Sequence, residues 1–222
     1  MVEAADRAAE LYLSESAASD PEVAAWLEGM AADAFVLSPS AFASVSTLSA
    51  PDGFLALCER RVVALESYRG SCALVPARIQ DPGNLGAMIR AAAAFFPCPL
   101  LVAGPGAVDP FSPKVVRAAA GSLSAIMIAE VGDLSEGLRQ LREGGFALLG
   151  LEMSGESIWE LPAVERLCLV VGSEGSGISP EVRSLLDHEV RIPQQPQVES
   201  LNAAAAASVA LAVLSRKAGL LA

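Results

Sequence analysis

The sequence predicts an α/β protein built mainly on a parallel sheet, and three observations lead to this prediction. Beyond about residue 70, near-continuous runs of Val, Leu and Ile alternate with helix-like segments. Of the 222 residues, 53% are hydrophobic, which is enough for a substantial core. The first 70 residues follow a shorter alternation, which predicts a separate small α/β unit. We therefore expect two domains, 1–70 and 71–222, divided at the polar segment SYRGS.

The N-terminal unit is predicted to alternate short strands and helices. The segments AELYLSE and DAFVLS are strand-like. A helix is expected between them, because Asp20 stands directly before a proline that suits a first helical turn. A third strand, or a pair of strands, is expected in GFLALCERRVVALE.

The larger domain contains five apolar runs that predict its strands: CALVPARI, PLLVAG, AIMIAEV, FALLGLEM and LCLVVGSE. Helices are predicted in SPKVVRAAAG, LSEGLRQLREGG and SPEVRSLLD, and in an alanine-rich segment that opens with Ala203–Ala207. These five alanines are compatible with a tightly packed buried helix or with contact to a second subunit. Because parallel sheets bind ligands at the carboxyl ends of their strands, we expect the site in the loops after those runs.

Charge and composition limit the classes of partner. The chain has 15 Lys and Arg against 26 Asp and Glu, a net charge of −11, which argues against non-specific binding of a polyanion over the whole surface. A local basic patch stays compatible with this total. No apolar run approaches the roughly 18 residues of a membrane span, and the N-terminus lacks the pattern of a signal peptide, so we expect a cytoplasmic protein with no membrane partner.

No metal site or disulfide framework is expected. The four cysteines, Cys58, Cys72, Cys98 and Cys168, are scattered through apolar stretches without a CxxC spacing. We expect them to be small buried side chains in a reducing compartment.

The first loop with chemical character is DPGNLGAMIR, in which a strand ends and a helix begins near Leu85. Gly86 and Arg90 are four residues apart and are predicted to share one helix face. The glycine is expected at the N-terminal end of the helix, where a ligand could approach the backbone. Ala91–Phe96 are expected to pack inward. An arginine beside a helix N-terminus suits a phosphate, although a solvated helix arginine is the simpler alternative.

The second loop is VVGSEGSGISPE, directly after a predicted buried strand. Its glycines suit a turn with unusual dihedral angles and close approach of the backbone. The spacing is neither that of GxGxxG nor that of a phosphate-binding P-loop. Glu174 is either a carboxylate facing a ligand or an ordinary turn residue.

The third loop, RIPQQPQVESLN, connects a short strand to the alanine-rich helix. Ser200 is predicted to cap that helix, which alone would explain its presence. Asn202 would then lie inside the helix, where asparagine is unfavourable unless its amide has a task.

Taken together and in this order, DPGNLGAMIR, VVGSEGSGIS and IPQQPQVESLN resemble the three motifs of the SpoU/TrmH family of RNA ribose 2′-O-methyltransferases. The segment SPKVVRAAAGS is similar to an internal segment of that family, and the resemblance covers residues 71–222 almost continuously. Residues 1–70 resemble the ribosomal-protein-like substrate-binding domain of its ribosomal RNA members.

The resemblance implies a parallel sheet whose C-terminal segment forms a deep trefoil knot, a homodimer with each site near the subunit interface, and RNA rather than DNA as substrate. It also implies S-adenosylmethionine as cofactor. The positions that match cofactor-binding residues are Gly172, Ile192 and Leu201. The positions that match the active site are Asn84, Arg90, Glu174, Ser200 and Asn202.

Two departures from the family pattern stand out. Gln194 occupies a position that is usually methionine, and Pro196 one where glycine is common, so the loop that holds the adenine is expected to differ. The N-terminal unit is also short, which predicts either a lost start or a different grip on RNA.

The implied reaction is attack of a ribose 2′-hydroxyl on the methyl group of the cofactor. Because a guanidinium is a poor base, we expect Arg90 to act through its charge, on the developing alkoxide or on an adjacent phosphate. Asn84 is expected to orient Arg90 or the ribose, and Ser200 and Asn202 to order the cofactor loop and the hydroxyl. The N-terminal unit favours ribosomal over transfer RNA. The alternatives are a transfer-RNA methyltransferase, a non-catalytic RNA-binding protein of the same fold, and a metabolic enzyme on an ordinary doubly wound sheet.

Overall fold

The computed structural model describes residues 8–29, 32–48, 50–197 and 199–220. They form two compact units that divide between Arg60 and Arg61, earlier in the chain than the boundary expected at 70/71. The difference arises because the connecting segment packs on the larger unit. The backbone N–H of Val63 donates a 2.8 Å hydrogen bond to the carbonyl of Ile128, and Tyr68 is buried in the core of that unit.

The smaller unit combines a three-stranded sheet with short helices. Its strands are β1 (Ala8–Ser14), β2 (Asp33–Leu37) and β3 (Phe54–Cys58). Its helices are α1 (Glu15–Ala18), α2 (Pro21–Leu27) and α3 (Pro39–Val45). The central strand β1 pairs parallel with β2 and antiparallel with β3. Asp20 caps α2 by accepting from the N–H of Glu22, and proline occupies the first turn, as the sequence predicts.

The two faces of this smaller sheet differ in exposure. Leu11 and Leu13 point to one face and are buried together with Phe42 of α3. Tyr12 points the other way and stacks on Phe35, with ring centroids 5.5 Å apart, and Phe35 is 46% exposed. An aromatic pair therefore lies on the open face of the sheet.

The larger unit is a six-stranded parallel sheet with helices on both faces. Its strands are β4 (Cys72–Pro76), β5 (Leu100–Ala103), β6 (Met127–Glu130), β7 (Ala147–Ser157), β8 (Leu167–Val171) and β9 (His188–Arg191). Its helices are α4 (Pro82–Phe95), α5 (Pro113–Ala118), α6 (Leu134–Glu143), α7 (Pro180–Arg183) and α8 (Ala203–Lys217). The strand order is β6-β5-β4-β8-β7-β9, and every pair is parallel, which confirms the predicted parallel sheet.

Successive residues of the central strands alternate between two buried cores, one on each face of the sheet. Leu74 belongs to the core that includes Met88 of α4 and Leu211 of α8. Val75 belongs to the other core, with Leu138 of α6. Strands buried on both faces need no polar positions, which explains why they appear in the sequence as continuous apolar runs.

Gly86 is a residue of α4 that is buried against α5. The prediction that it faces a ligand at the start of the helix was therefore wrong. A Cβ atom at this position would lie 2.3 Å from Cβ of Ala118 and 2.8 Å from the backbone nitrogen of Ala119. Glycine therefore lets two helices approach each other closely rather than letting a ligand approach the backbone.

The cysteines differ from one another in environment. Cys72 and Cys168 are buried, as expected, and burial raises the pKa of both thiols. Cys58 and Cys98 are exposed, because they lie at the end of an edge strand and in the turn before β5. Among the residues that the structure describes, no group of His, Cys, Asp and Glu side chains could hold a metal ion. None of the described helices is long and apolar enough to cross a membrane.

Candidate active site

The carboxyl ends of β4 and β8 lie side by side at the point where the connections of the sheet change direction. Pro76 at the end of β4 is paired with Val171 at the end of β8. From β4 the chain continues to the neighbouring strand β5, whereas from β8 it continues past β7 to β9 on the opposite side. Such a switch point opens a crevice in open α/β sheets, and the loops that follow both strands border it.

Three polar side chains from three loops meet at this crevice, and we call them the polar cluster: Asn84, Glu174 and Asn202. Nδ2 of Asn202 donates to Oε1 of Glu174 at 2.7 Å and to Oδ1 of Asn84 at 2.9 Å. Nδ2 of Asn84 donates to the same Glu174 oxygen at 3.1 Å. Each predicted loop thus contributes one residue to a single hydrogen-bonded group.

Asn202, and not Ser200, is the N-cap of α8, so the prediction of Ser200 as the cap was wrong. Oδ1 of Asn202 accepts from the backbone N–H groups of Ala204 and Ala205, at 3.0 and 3.2 Å. The helix begins two residues later than expected, which removes the apparent problem of an asparagine inside it. Ser200 is exposed and lines the cavity described below.

The hydrogen-bonding capacity of Asn202 is fully used within the chain. Its two N–H donors serve Glu174 and Asn84, and its oxygen accepts two backbone bonds. An asparagine side chain offers two donors and two acceptor sites. Asn202 is therefore a positioning residue that fixes the start of α8 relative to the other two loops.

The two carboxylate oxygens of Glu174 have different surroundings. Oε1 accepts from both asparagine side chains and from the backbone N–H of Ala203, at 3.3 Å. Oε2 makes no hydrogen bond with the described residues, and the side chain is exposed. One oxygen is held in place while the other stays available to accept from a ligand.

A cavity lies beside the polar cluster and contains all three positions that the resemblance assigns to cofactor binding: Gly172, Ile192 and Leu201. Its walls also include Glu174 and Ser200. Gly172 permits a tight turn here, because a Cβ on it would lie 2.3 Å from the carbonyl carbon of Gly177. The loop between β8 and α7, residues 172–179, which we call the glycine-rich loop, can therefore fold back on itself beside the cavity.

Glu152 also lines the cavity, and the sequence reasoning missed it. Oε1 accepts a 2.9 Å hydrogen bond from the N–H of Ile178 in the glycine-rich loop. Oε2 forms an ion pair of 3.0 Å with Arg183, which also contacts Glu189 at 3.2 Å. This carboxylate anchors the glycine-rich loop to β7. Glu152 lies on β7 directly after the residues that pair with β8. The principle that ligands bind at the carboxyl ends of parallel strands would therefore have identified it.

Gln194 lies in the same cavity wall, in the loop after β9. Its Nε2 donates to the sulfur of Met153 at 3.2 Å. Its Oε1 is buried and has no hydrogen-bond partner among the described residues.

Arg90 does not join the polar cluster. It is exposed on α4 and makes no hydrogen bond or ion pair with the described residues. Six residues of helix separate it from Asn84 by about 9 Å along the axis and about 120° around it. Ala94, which was predicted to pack inward, is exposed one turn further along. The expectation that Asn84 orients Arg90 is therefore not met within one chain.

Residues 71–212 match the SpoU rRNA Methylase family. The chain belongs to this family. The match spans all three loops and the whole cavity, and it confirms the family that the three motifs predict. As a member of the SpoU family, the chain is an RNA methyltransferase, which confirms the predicted class of enzyme.

Two relatives extend the similarity beyond the matched region. A protein from Synechocystis called an uncharacterized tRNA/rRNA methyltransferase is 34% identical over 86% of this SpoU family chain and 70% of its own length. The Bacillus subtilis protein RlmP, a 23S rRNA (guanosine(2553)-2′-O)-methyltransferase, is 34% identical over 79% of the chain and 69% of its own length. Relatives that are named methyltransferases do not favour a non-catalytic RNA-binding protein.

Solved structures support the same assignment. An rRNA methyltransferase from Sinorhizobium meliloti, solved with AdoMet bound, matches with a TM-score of 0.81 and 26% identity over 97% of this chain and 82% of its own. A structure described as that of a putative RNA methyltransferase of the TrmH family, from Porphyromonas gingivalis, matches with a TM-score of 0.78 and 29% identity, over 97% of this chain and 85% of its own. Both matches cover nearly the whole SpoU family chain.

Proposed function

We propose that this protein transfers a methyl group from S-adenosylmethionine to a ribose 2′-hydroxyl of ribosomal RNA. The observation that carries the proposal is the polar cluster of Asn84, Glu174 and Asn202 beside a cavity that contains the cofactor-binding positions of the family. The 23S rRNA activity in the name of RlmP supports ribosomal RNA as the substrate class.

The residues that line the cavity suit the chemistry of the cofactor. Leu151, Val171 and Leu201 provide apolar contact for a base, and the carboxylates of Glu152 and Glu174 suit a cationic ligand. Gly172, Ile192 and Leu201 would hold the cofactor, largely through backbone groups. S-adenosylmethionine supplies, when bound, a methyl group on a positively charged sulfur.

The chain's own residues orient the hydroxyl that accepts the methyl group. Asn84 retains one donor and one acceptor site beyond its bonds to Glu174 and Asn202, and Oε2 of Glu174 retains its acceptor sites. These groups can bind the ribose hydroxyl while Asn202 holds them in position. Orientation of this kind contributes much of the rate in a transfer between two bound groups.

We further propose a homodimer in which Arg90 lies at the subunit interface. Ala94, one turn further along α4, is exposed and small, and α8 exposes Ala205 and Val209. Small side chains allow close helix contact between two subunits. Arg90 would then act through its charge on the substrate at the interface, since it makes no hydrogen bond or ion pair with the described residues of one chain.

The C-terminal segment is proposed to form the deep trefoil knot of the family. Three features support this: β9 lies at the sheet edge beyond β7, the segment after it lines the cavity together with the glycine-rich loop, and α8 then packs against α4. A crystal structure tests the proposal, since a backbone trace without a knot would contradict it.

We propose that the N-terminal unit contacts the RNA by stacking rather than by charge. Residues 8–60 contain eight acidic side chains and one basic one, Arg60, which disfavours a grip on phosphates. The exposed pair of Tyr12 and Phe35 offers a surface on which a base can stack. Phe35→Ala should weaken RNA binding with little change in its salt dependence, and an unchanged affinity would contradict this role.

The whole proposal is tested by mapping ribose 2′-O-methylation across total RNA from cells with and without the gene. Loss of one site in ribosomal RNA is the expected result. Loss of a site in transfer RNA would show that transfer RNA, and not ribosomal RNA, is the substrate. If no site is lost, the proposed activity is contradicted.

A further inference from the structure

The cavity with the cofactor-binding positions lies on one side of the polar cluster. Its walls come from the ends of β7, β8 and β9, the loops after β8 and β9, and the start of α8. Among the described residues that line it, none belongs to the loops after β4 and β5, which lie on the other side of the switch point. The methyl group passes between two molecules that meet at the polar cluster. The RNA can therefore approach from the side of β4 and β5, which the cofactor leaves open.

Arg78 lies in the loop after β4 and has a backbone conformation that suits glycine better than arginine. Its φ is 63°, in the left-handed region where a Cβ atom is crowded. The loop is held in this shape on both sides of Arg78. The N–H of Ala77 donates to the carbonyl of Val171, and the N–H of Val108 donates to the carbonyl of Ile79, both at 2.8 Å. Unfavourable conformations that the surrounding structure enforces are concentrated at functional sites.

The side chain of Arg78 points out of this fixed loop. Ala77 and Ile79 are buried, whereas Arg78 is exposed and makes no hydrogen bond or ion pair with the described residues. Its Cγ lies 3.4 Å from the position that a Cβ on Gly106 would occupy, so its aliphatic part packs on the loop after β5. The guanidinium is therefore available to a ligand that contacts both loops.

The charges of the larger unit leave few cations for a polyanion. Several are already bound to carbonyl or carboxylate groups of the chain: Arg69, Arg139, Arg142, Arg166, Arg183 and Lys217. The carboxylates in the loops after β4 and β5, Asp81 and Asp109, each accept a backbone N–H, at 2.7 and 2.9 Å. Lys114, exposed in the first turn of α5, adds a second positive charge on the side of Arg78. In a chain of net charge −11, local cations of this kind must supply the contacts with phosphates.

We infer that Arg78 binds a phosphate of the RNA strand that carries the acceptor ribose, and that this strand passes over the loops after β4 and β5. A guanidinium suits this task because its N–H groups match two phosphate oxygens at once. The inference rests on the proposed function and names a substrate contact of the same site.

The salt dependence of RNA binding tests this contact. The probe is protein-free ribosomal RNA from cells that lack the gene, and filter binding gives its affinity for the intact protein at a series of salt concentrations. Each phosphate contact releases counterions, so its loss lowers the slope of log affinity against log salt by about 1.

Arg78→Asn should weaken RNA binding by roughly tenfold, the value of about one charged hydrogen bond, and lower the slope by about 1. Asparagine tolerates a positive φ but has no charge, so the loop should keep its shape. Arg78→Lys retains the charge and should keep the slope of wild type.

Two measurements exclude a merely structural effect. Arg78→Asn should be no less stable than wild type in chemical denaturation, and its affinity for S-adenosylhomocysteine should be unchanged. Arg139→Asn is the matched control, because it removes the same charge from an exposed arginine that is paired with Glu136. Its slope should equal that of wild type.

The outcomes separate this inference from the function on which it rests. A wild-type slope in Arg78→Asn would overturn the inference, as would equal losses in Arg78→Asn and Arg78→Lys or the same fall in Arg139→Asn. Wild-type protein that does not bind the RNA would also overturn it. Methyl transfer to the same RNA is measured separately. If wild-type protein binds the RNA but transfers no methyl group, the proposed function is contradicted, while the slope still decides the role of Arg78.

Discussion

Asn202 and Glu174 are joined by a 2.7 Å hydrogen bond from Nδ2 to Oε1, although 28 residues separate them in the chain. The same amide caps α8 and binds Asn84, so one side chain fixes the relative positions of three loops. The polar cluster is therefore held together by hydrogen bonds within the chain before any ligand binds.

Asn202→Asp should lower methyl transfer by about 100-fold or more, because loss of orientation in an active site has effects of this size. The new carboxylate would still cap the helix but would face Oε1 of Glu174 without a hydrogen between them. Steady-state transfer to ribosomal RNA measures the effect. Asn84→Asp is a matched variant, since it also replaces a donor to Glu174; full activity in both would contradict the positioning role.

Arg90→Ala should reduce methyl transfer by about 100-fold or more, because the positive charge of the guanidinium stabilises the reacting oxygen in the transition state. The affinity for S-adenosylhomocysteine should stay within a few-fold of wild type. Arg90→Lys should also be impaired, since lysine lacks the planar fork. Arg139→Ala, in an exposed pair with Glu136, is the control. Loss of cofactor binding together with activity would contradict the assigned role.

Glu152→Ala should loosen the glycine-rich loop, because the N–H of Ile178 loses its acceptor and Arg183 loses one of its two carboxylate partners. We expect faster hydrogen exchange at the Ile178 amide and roughly tenfold weaker binding of S-adenosylhomocysteine, the effect of about one lost hydrogen bond. Glu136→Ala removes a carboxylate from an exposed pair and should change neither quantity. An Ile178 amide that exchanges at the wild-type rate in Glu152→Ala would show that the loop is held by other contacts.

Gly86→Ala should destabilise the fold by about 1–3 kcal/mol, because the added methyl group overlaps the backbone of α5 near Ala118 and the helices must separate. Chemical denaturation measures the change in the free energy of unfolding. Gly132→Ala is the control, since nothing lies within 4 Å of a Cβ placed there. Equal stabilities for the two variants would show that the contact between α4 and α5 adjusts freely.

Tyr68 makes stability depend on alkaline pH. Its hydroxyl donates to the carbonyls of Cys72, at 2.8 Å, and Cys98, at 3.1 Å, and burial raises its pKa from 10.0 to about 12. The folded state keeps the phenol proton where the unfolded chain loses it, so stability is unaffected below pH 10 and falls as the pH rises from 10 towards 12. The loss over this range is on the order of 2 kcal/mol.

Tyr68→Phe should remove this component of the pH dependence. The variant starts less stable, because two hydrogen bonds are lost, but its free energy of unfolding should decline less between pH 10 and 12. Denaturation at a series of pH values compares the two slopes. Parallel slopes would mean that other groups account for the alkaline loss.

Local sequence patterns were sufficient to predict the main strands and helices and the edge of the sheet at which the site lies. Runs such as CALVP and LCLVV are strands because both of their faces are buried, and the loops that follow them meet because parallel strands end together. The order of three motifs was enough for the family. These features depend on residues close together in the chain, so the sequence alone determines them.

Tertiary contacts decided what each site residue does. Gly86 packs against a helix that begins 27 residues further along the chain, Glu152 holds a loop from a different strand connection, and Asn202 is a cap because its amide finds Glu174. Arg90 is exposed because the opposite face of α4 is the one buried against the sheet and α8. Spacing along a helix predicts which residues share a face, but the partner of that face is set by chain segments far away in sequence. For this reason the sequence alone named the residues of the polar cluster, and only the fold showed how their hydrogen bonds are distributed.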